Sequence, residues 1–174
     1  MQNNPFNEIA TPSIKPKIVI IISLAYSGTT WLSLVLSSHF RAMSLGAGDM
    51  LIERLNSKCG EFCGLHGHNC KFWPQFLKGW DGDELFVDLM KYSGKEVFVI
   101  NNPTRSFIDK YLNNESVELI FIHNIRDGIA TLASAMKHHP ERVDSVFQAS
   151  CAWLYRGTKN LKKRLADLNR EYLL

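Results

Sequence analysis

Four residues with anion-binding chemistry stand together at Ser27, Gly28, Thr29 and Thr30, within the stretch SLAYSGTTWL that covers residues 23–32. An apolar run, Ile18-Val19-Ile20-Ile21-Ile22, leads into them, and the pattern Trp31, Leu32, Leu34, Val35, Leu36 leads out. A strand, a short glycine turn and a helix would present unpaired backbone N–H groups and the positive end of a helix dipole at the turn. Gly28 lets an oxyanion approach the backbone, and three hydroxyls add donors. The same residues also suit an ordinary turn in which Ser or Thr caps the helix. The lysine of an ATP-hydrolysing loop, G-x-x-x-x-G-K-[ST], is missing, and Thr29 occupies its place.

A second candidate lies in LIFIHNIRDGIATLASAM, residues 119–136, where Arg126 follows an apolar run and Ser134 comes eight residues later. A guanidinium at a strand end can fork two hydrogen bonds onto a phosphate. The competing reading pairs Arg126 with Asp127 or another carboxylate and makes Ser134 a small packing residue. A third cluster, Cys59, Cys63, His66, His68 and Cys70, has the ligand types for tetrahedral zinc. Its C-x3-C-x2-H-x-H-x-C spacing is not that of a standard zinc finger, and thiols packed beneath Phe72 and Trp73 are the alternative.

These residues need elements to hold them. Residues 18–23 read as a buried parallel strand, because the run is continuously apolar and does not alternate. Residues 29–38 predict a helix, 41–45 a short strand, 49–57 a helix starting at Asp49, and 58–74 an irregular loop. Residues 83–91 predict a helix with acidic residues in its first turn. Strands follow at 96–100 and 118–123, then helices at 127–138 and 141–170. Strands alternating with helices imply an α/β fold with a parallel sheet, which binds ligands beyond the carboxyl ends of its strands. Segments 24–30, 101–105 and 124–127 fall there.

The 174 residues suit one domain, and 45% hydrophobic with 21% charged residues excludes a disordered chain. A net charge of +3 is too small to argue for nucleic acid. No apolar run is long enough to span a bilayer, and residues 1–17 lack the apolar core of a signal peptide, so they read as a disordered leader. The expectation is a cytoplasmic protein whose cysteines stay reduced or bind metal.

Taken together, AYSGTTW and the Arg126–Ser134 pair resemble the sulfotransferases that use 3′-phosphoadenosine 5′-phosphosulfate. The resemblance runs from about residue 18 to the end of the chain. CGEFCGLHGHNCKFW, VINNPTR and SLGAGDM resemble segments of a bacterial-type branch of that family. The resemblance implies a three-layer α/β/α, P-loop-like fold for residues 18–174. It implies that Tyr26, Ser27, Gly28, Thr29, Thr30 and Trp31 cradle the 5′-phosphosulfate, while Arg126 and Ser134 grip the 3′-phosphate. Asp49 matches an acidic family position and is the candidate base, although it also suits a helix N-cap. His66, His68 and His123 are further base candidates, with His123 also readable as a satisfied core histidine.

The family loop usually carries Lys or Arg where Tyr26 stands here. Losing one such contact costs on the order of 3–4 kcal/mol of transition-state stabilisation. Arg105, just past a strand on the same edge, is the candidate replacement, or else a surface arginine at a helix start. Family members are usually longer, and Glu171-Tyr172-Leu173-Leu174 reads as the start of another strand. The expected activity is sulfuryl transfer to a hydroxyl or amine acceptor, with the chain either a cofactor-binding part truncated at its C-terminus or a minimal form. The alternatives are a nucleotide-binding or zinc-linked interaction module without catalysis, and a nucleotide kinase-like protein.

Overall fold

The computed structural model describes residues 14–23, 25–48, 51, 70–80, 84–138 and 166. Its centre is the strand β1, Lys17–Ser23, in which Ile18, Val19, Ile20, Ile21 and Ile22 are all buried. Successive strand residues point to opposite faces. Ile18, Ile20 and Ile22 accordingly join one core cluster, and Val19 and Ile21 join another. Burial on both faces is why the run is apolar throughout.

β1 is flanked by β3, Val97–Asn101, and β4, Glu118–Asn124, and β2, Ala42–Ala47, lies outside β3. The four strands form an all-parallel sheet in the order β2-β3-β1-β4. Ile20 stands level with Ile100 on one side and Phe121 on the other. Because every strand runs the same way, Ser23, Ala47, Asn101 and Asn124 all end at one edge.

Five helices complete the α/β fold among the described residues. α1, Thr29–Ser37, sets Leu32 and Leu36 against Val19, Ile21 and Val99. α2, Phe72–Gly79, α3, Leu85–Ser93, and α4, Arg105–Leu112, cover the opposite face with Phe76, Phe86, Leu89, Phe107 and Tyr111. Phe86 is the hub of that layer, with ring centroids 5.6 Å from Phe98, 6.2 Å from Phe107 and 5.0 Å from Tyr111. Truncating such an aromatic to alanine typically costs about 3–5 kcal/mol. α5, Gly128–His138, follows β4 and is capped by Asp127, whose Oδ1 accepts from the Ala130 amide at 2.9 Å.

The structure departs from the sequence expectation at several points. α2 occupies part of the expected irregular loop: Pro74 falls in its first turn, where the ring is tolerated, and Trp73, Phe76 and Leu77 bury one face. α4 was expected only as a helix start at Arg105. It runs to Leu112, because Thr104 caps the Phe107 amide at 3.3 Å and Phe107, Ile108 and Tyr111 form an apolar stripe. β2 extends to Ala47 through an irregularity between Ser44 and Gly46. The expected helices over 49–57 and 141–170 lie outside the described residues, apart from Leu51 and Ala166, both helical.

Candidate functional site

The loops after β1, β3 and β4 meet at the carboxyl edge of the sheet, and asparagine side chains bind them together. Asn102 Oδ1 accepts from the Ser23 amide at 2.8 Å, and the Asn102 amide donates to the Ile21 carbonyl at 2.8 Å. Asn102 does this from φ 42°, a left-handed conformation that asparagine tolerates better than most residues. On the other side, Asn124 Nδ2 donates to the Ser27 carbonyl at 2.9 Å. The loop after β2 joins the same edge, with Gly48 so close to Pro103 that a side-chain carbon there would lie 2.4 Å from the proline Cα.

The loop 25–28 itself ends in Gly28 at φ 87°, the N-cap of α1. A glycine cap has no side chain with which to satisfy the first-turn amides, and α1 has no acidic residue in that turn. The expected alternative, a Ser or Thr cap, is therefore not what the fold adopts. Its first amides keep their capacity for an external acceptor. Thr29 is half-buried and Thr30 exposed at the helix start, Trp31 is 69% exposed, and Ser27 is buried.

Tyr26 also has a positive φ, 65°. Such a conformation in a residue other than glycine costs on the order of 1–3 kcal/mol and persists where the surroundings enforce it. Two contacts join Tyr26 to the β4–α5 segment. Arg126 Nη1 donates to the Tyr26 carbonyl at 3.1 Å, and the Tyr26 ring lies nearly parallel to that of His138, 10° apart in plane and 6.1 Å between centroids. Arg126 is exposed and forms no ion pair with a carboxylate among the described residues, so the reading that paired it with Asp127 fails. Asp127 is committed instead to capping α5.

Ser134 is half-buried on α5. It shares a helix face with Thr131 and His138, three residues before and four after it. Thr131 is fully buried, its hydroxyl donating to the Asp127 carbonyl at 2.9 Å, and His138 reaches Tyr26. Arg126 and His138 both touch Tyr26, so the β4–α5 segment meets the loop at both of its ends.

Not every expected residue is placed. Asp49 lies outside the described residues, as do Cys59, Cys63, His66 and His68. Arg105 opens α4 on the correct edge, but its side chain is outside the description. Cys70 is a buried free thiol in the apolar cluster with Trp73 and Phe76, the packing alternative for that one cysteine. Among the described residues no His, Cys, Asp and Glu cluster could hold a metal, and no helix is long and apolar enough to cross a membrane.

His123 departs from the reading as a satisfied core histidine. Both ring nitrogens are buried without a hydrogen-bond partner among the described residues, and burial lowers its pKa below the usual value. Asn102, Asn124 and His138 escaped sequence reasoning. The signal for Asn102 was present: an asparagine after an apolar strand and before proline marks a turn. No local pattern marks Asn124 or His138, whose contacts are made across the fold.

No protein-family model matches this chain, and no curated protein matches it.

Proposed function

We propose that the chain binds 3′-phosphoadenosine 5′-phosphosulfate at the carboxyl edge of its sheet and transfers the sulfuryl group to a hydroxyl or amine acceptor. On this reading the fold is of the three-layer, P-loop-like sulfotransferase type. Backbone and hydroxyl donors from Tyr26 to Thr30 hold the 5′-phosphosulfate, with Trp31 beside them, and Arg126 and Ser134 hold the 3′-phosphate. In the reaction the acceptor oxygen or nitrogen bonds to sulfur in line as the bond from sulfur to the phosphate oxygen breaks. The acceptor proton passes to a base, for which Asp49 is the candidate, and Arg105 is the candidate cation for the leaving phosphate. Positioning and electrostatics carry most of such a barrier.

The observation that supports this most is the hydrogen bond from Arg126 to the Tyr26 carbonyl. It joins two segments one hundred positions apart in sequence, leaving further guanidinium donors for an anion. Calorimetry with adenosine 3′,5′-bisphosphate and 5′-AMP tests it. A charge-assisted contact of about 1.5–3 kcal/mol should make the bisphosphate bind roughly 10- to 150-fold more tightly, and Arg126→Ala should remove that preference. Equal affinities for the two ligands in the native chain would refute it.

Tyr26 favours a second reading, a binding module that holds the nucleotide without transferring sulfate, because the loop side chain at that position carries no positive charge at neutral pH. Zinc held by the cysteine–histidine segment would belong to the same reading. Sulfate transfer to any acceptor separates the two. Competition by ATP would instead favour the kinase-like alternative.

A further inference from the structure

The two edges of the sheet are built differently. β2 closes one edge and carries the register shift between Ser44 and Gly46, with Gly46 at φ 79°. Irregularities of this kind blunt an edge against pairing with another strand. β4 closes the other edge, and its register with β1 is unbroken from Glu118 to Asn124. It contains no proline, lysine or glycine, and its one carboxylate, Glu118, stands at its start. The Glu118 amide donates to the Pro16 carbonyl at 2.9 Å, so that residue turns its backbone toward the β1 side. Backbone groups alternate in direction along a strand. The N–H and C=O groups of Leu119, Phe121 and His123 therefore point away from the sheet, and none of the described residues bonds to them. Such a row of open groups is a template for a further strand.

We propose that this edge pairs with the same edge of a second copy of the chain, antiparallel about a two-fold axis at Phe121, joining two four-stranded sheets into one. The strand is self-complementary in that register. Phe121 meets the partner's Phe121, and Leu119 meets the partner's His123. These outward-facing pairs exchange about six N–H···O bonds. Between them, Ile120 stands opposite the partner's Ile122. Both are only half-buried in the single chain, where they pack beside Val19, Ile21 and Val99, so pairing removes further apolar surface from water. Glu118 falls opposite the partner's Asn124, so no like charges meet. A two-fold contact uses the open edge of both copies, and the irregular β2 edges remain outside, so assembly closes at a dimer. The two anion loops then lie at opposite ends of the joined sheet, and the pairing does not depend on what they hold.

Sedimentation equilibrium of the full chain over a concentration series should show the mass of two chains giving way to that of one on dilution. Amide hydrogen exchange on the same samples reads the register. The amides of Leu119, Phe121 and His123 should be protected in the dimer and exchange freely after dilution. Those of Ile120 and Ile122, which face β1, should stay protected throughout. A cross-link gives a second measurement. Ile120 and the partner's Ile122 form a non-hydrogen-bonded pair with about 4.5 Å between Cα atoms, which a disulfide can bridge. Ile120→Cys mixed with Ile122→Cys under mild oxidation should yield a cross-linked dimer that neither variant yields alone and the native chain does not form. If the dimer persists at every dilution, this cross-link decides. A monomer with the three outward amides unprotected at every concentration overturns the proposal. So does a monomer with them always protected, which would assign the edge to a segment of the same chain such as residues 171–174. A dimer with neither the mixed cross-link nor concentration-dependent protection at those amides places the interface elsewhere and overturns it as well.

Discussion

Replacing Gly48 by alanine tests whether the edge loops are assembled as described. The new Cβ would lie 2.4 Å from the Pro103 Cα, 2.6 Å from its Cβ and 3.2 Å from its nitrogen. None of these atoms can swing aside, since all belong to a backbone or a closed ring, and Pro103 follows directly on Asn102, which is bonded to β1 on both its amide and its side chain. The clash must therefore shift one loop bodily. Overpacking of this kind costs about 1–3 kcal/mol, and the rigidity of the neighbours points to the upper end. For a domain of this size each kcal/mol moves Tm by roughly 2–4 °C, so a loss of about 6–12 °C is expected. Gly28→Ala is the control. It meets nothing within 4 Å, so only its φ of 87° is penalised, at about 1–2 kcal/mol. Urea and thermal unfolding of both variants give the comparison. A Gly48→Ala protein within about 0.5 kcal/mol of the parent, the range of a neutral surface change, would show that the loops after β2 and β3 do not touch as described.

His123 should make the protein acid-sensitive. Burial holds its folded pKa below the ordinary 6.5, so the unfolded chain binds the proton more readily. The associated stability is complete above 6.5 and is lost as pH falls through the lowered folded value. Urea unfolding at pH 5 and pH 7 should show a smaller difference in His123→Leu than in the parent, and an unchanged difference refutes the assignment. Leucine also removes two polar atoms that have no partner among the described residues, so the variant should lose little stability at pH 7. Thr104→Ala removes the cap on the Phe107 amide and should cost about 1 kcal/mol in chemical unfolding, with the parent value retained in Thr104→Ser. On the proposed function, Tyr26→Lys should raise turnover more than nucleotide affinity, because a cation there acts mainly on the leaving phosphate. A gain confined to binding would remove the transfer site from position 26.

The strand cores, the glycine turn after β1 and the start of α5 were legible in the sequence because each is a local pattern. An unbroken Ile18–Ile22 run can only be buried on both faces, a glycine between strand and helix can only be a tight turn, and Asp127 ahead of a periodic segment is a helix cap. α2 and the body of α4 were harder to see, since Pro74 and Pro103 place turn signals beside short apolar stripes. What the chain alone did not reveal is which segments meet. The contacts of Asn102 with Ser23, Asn124 with Ser27 and Arg126 with Tyr26 join residues 79, 97 and 100 positions apart. They exist because β3 and β4 flank β1 in one parallel sheet, which delivers all three strand ends to the same edge. The meeting of His138 with Tyr26 depends further on the length and direction of α5. Hydrophobic periodicity records which face of an element is buried but not which neighbour buries it, so the elements could be read from the residues while the site was decided by the order of the strands.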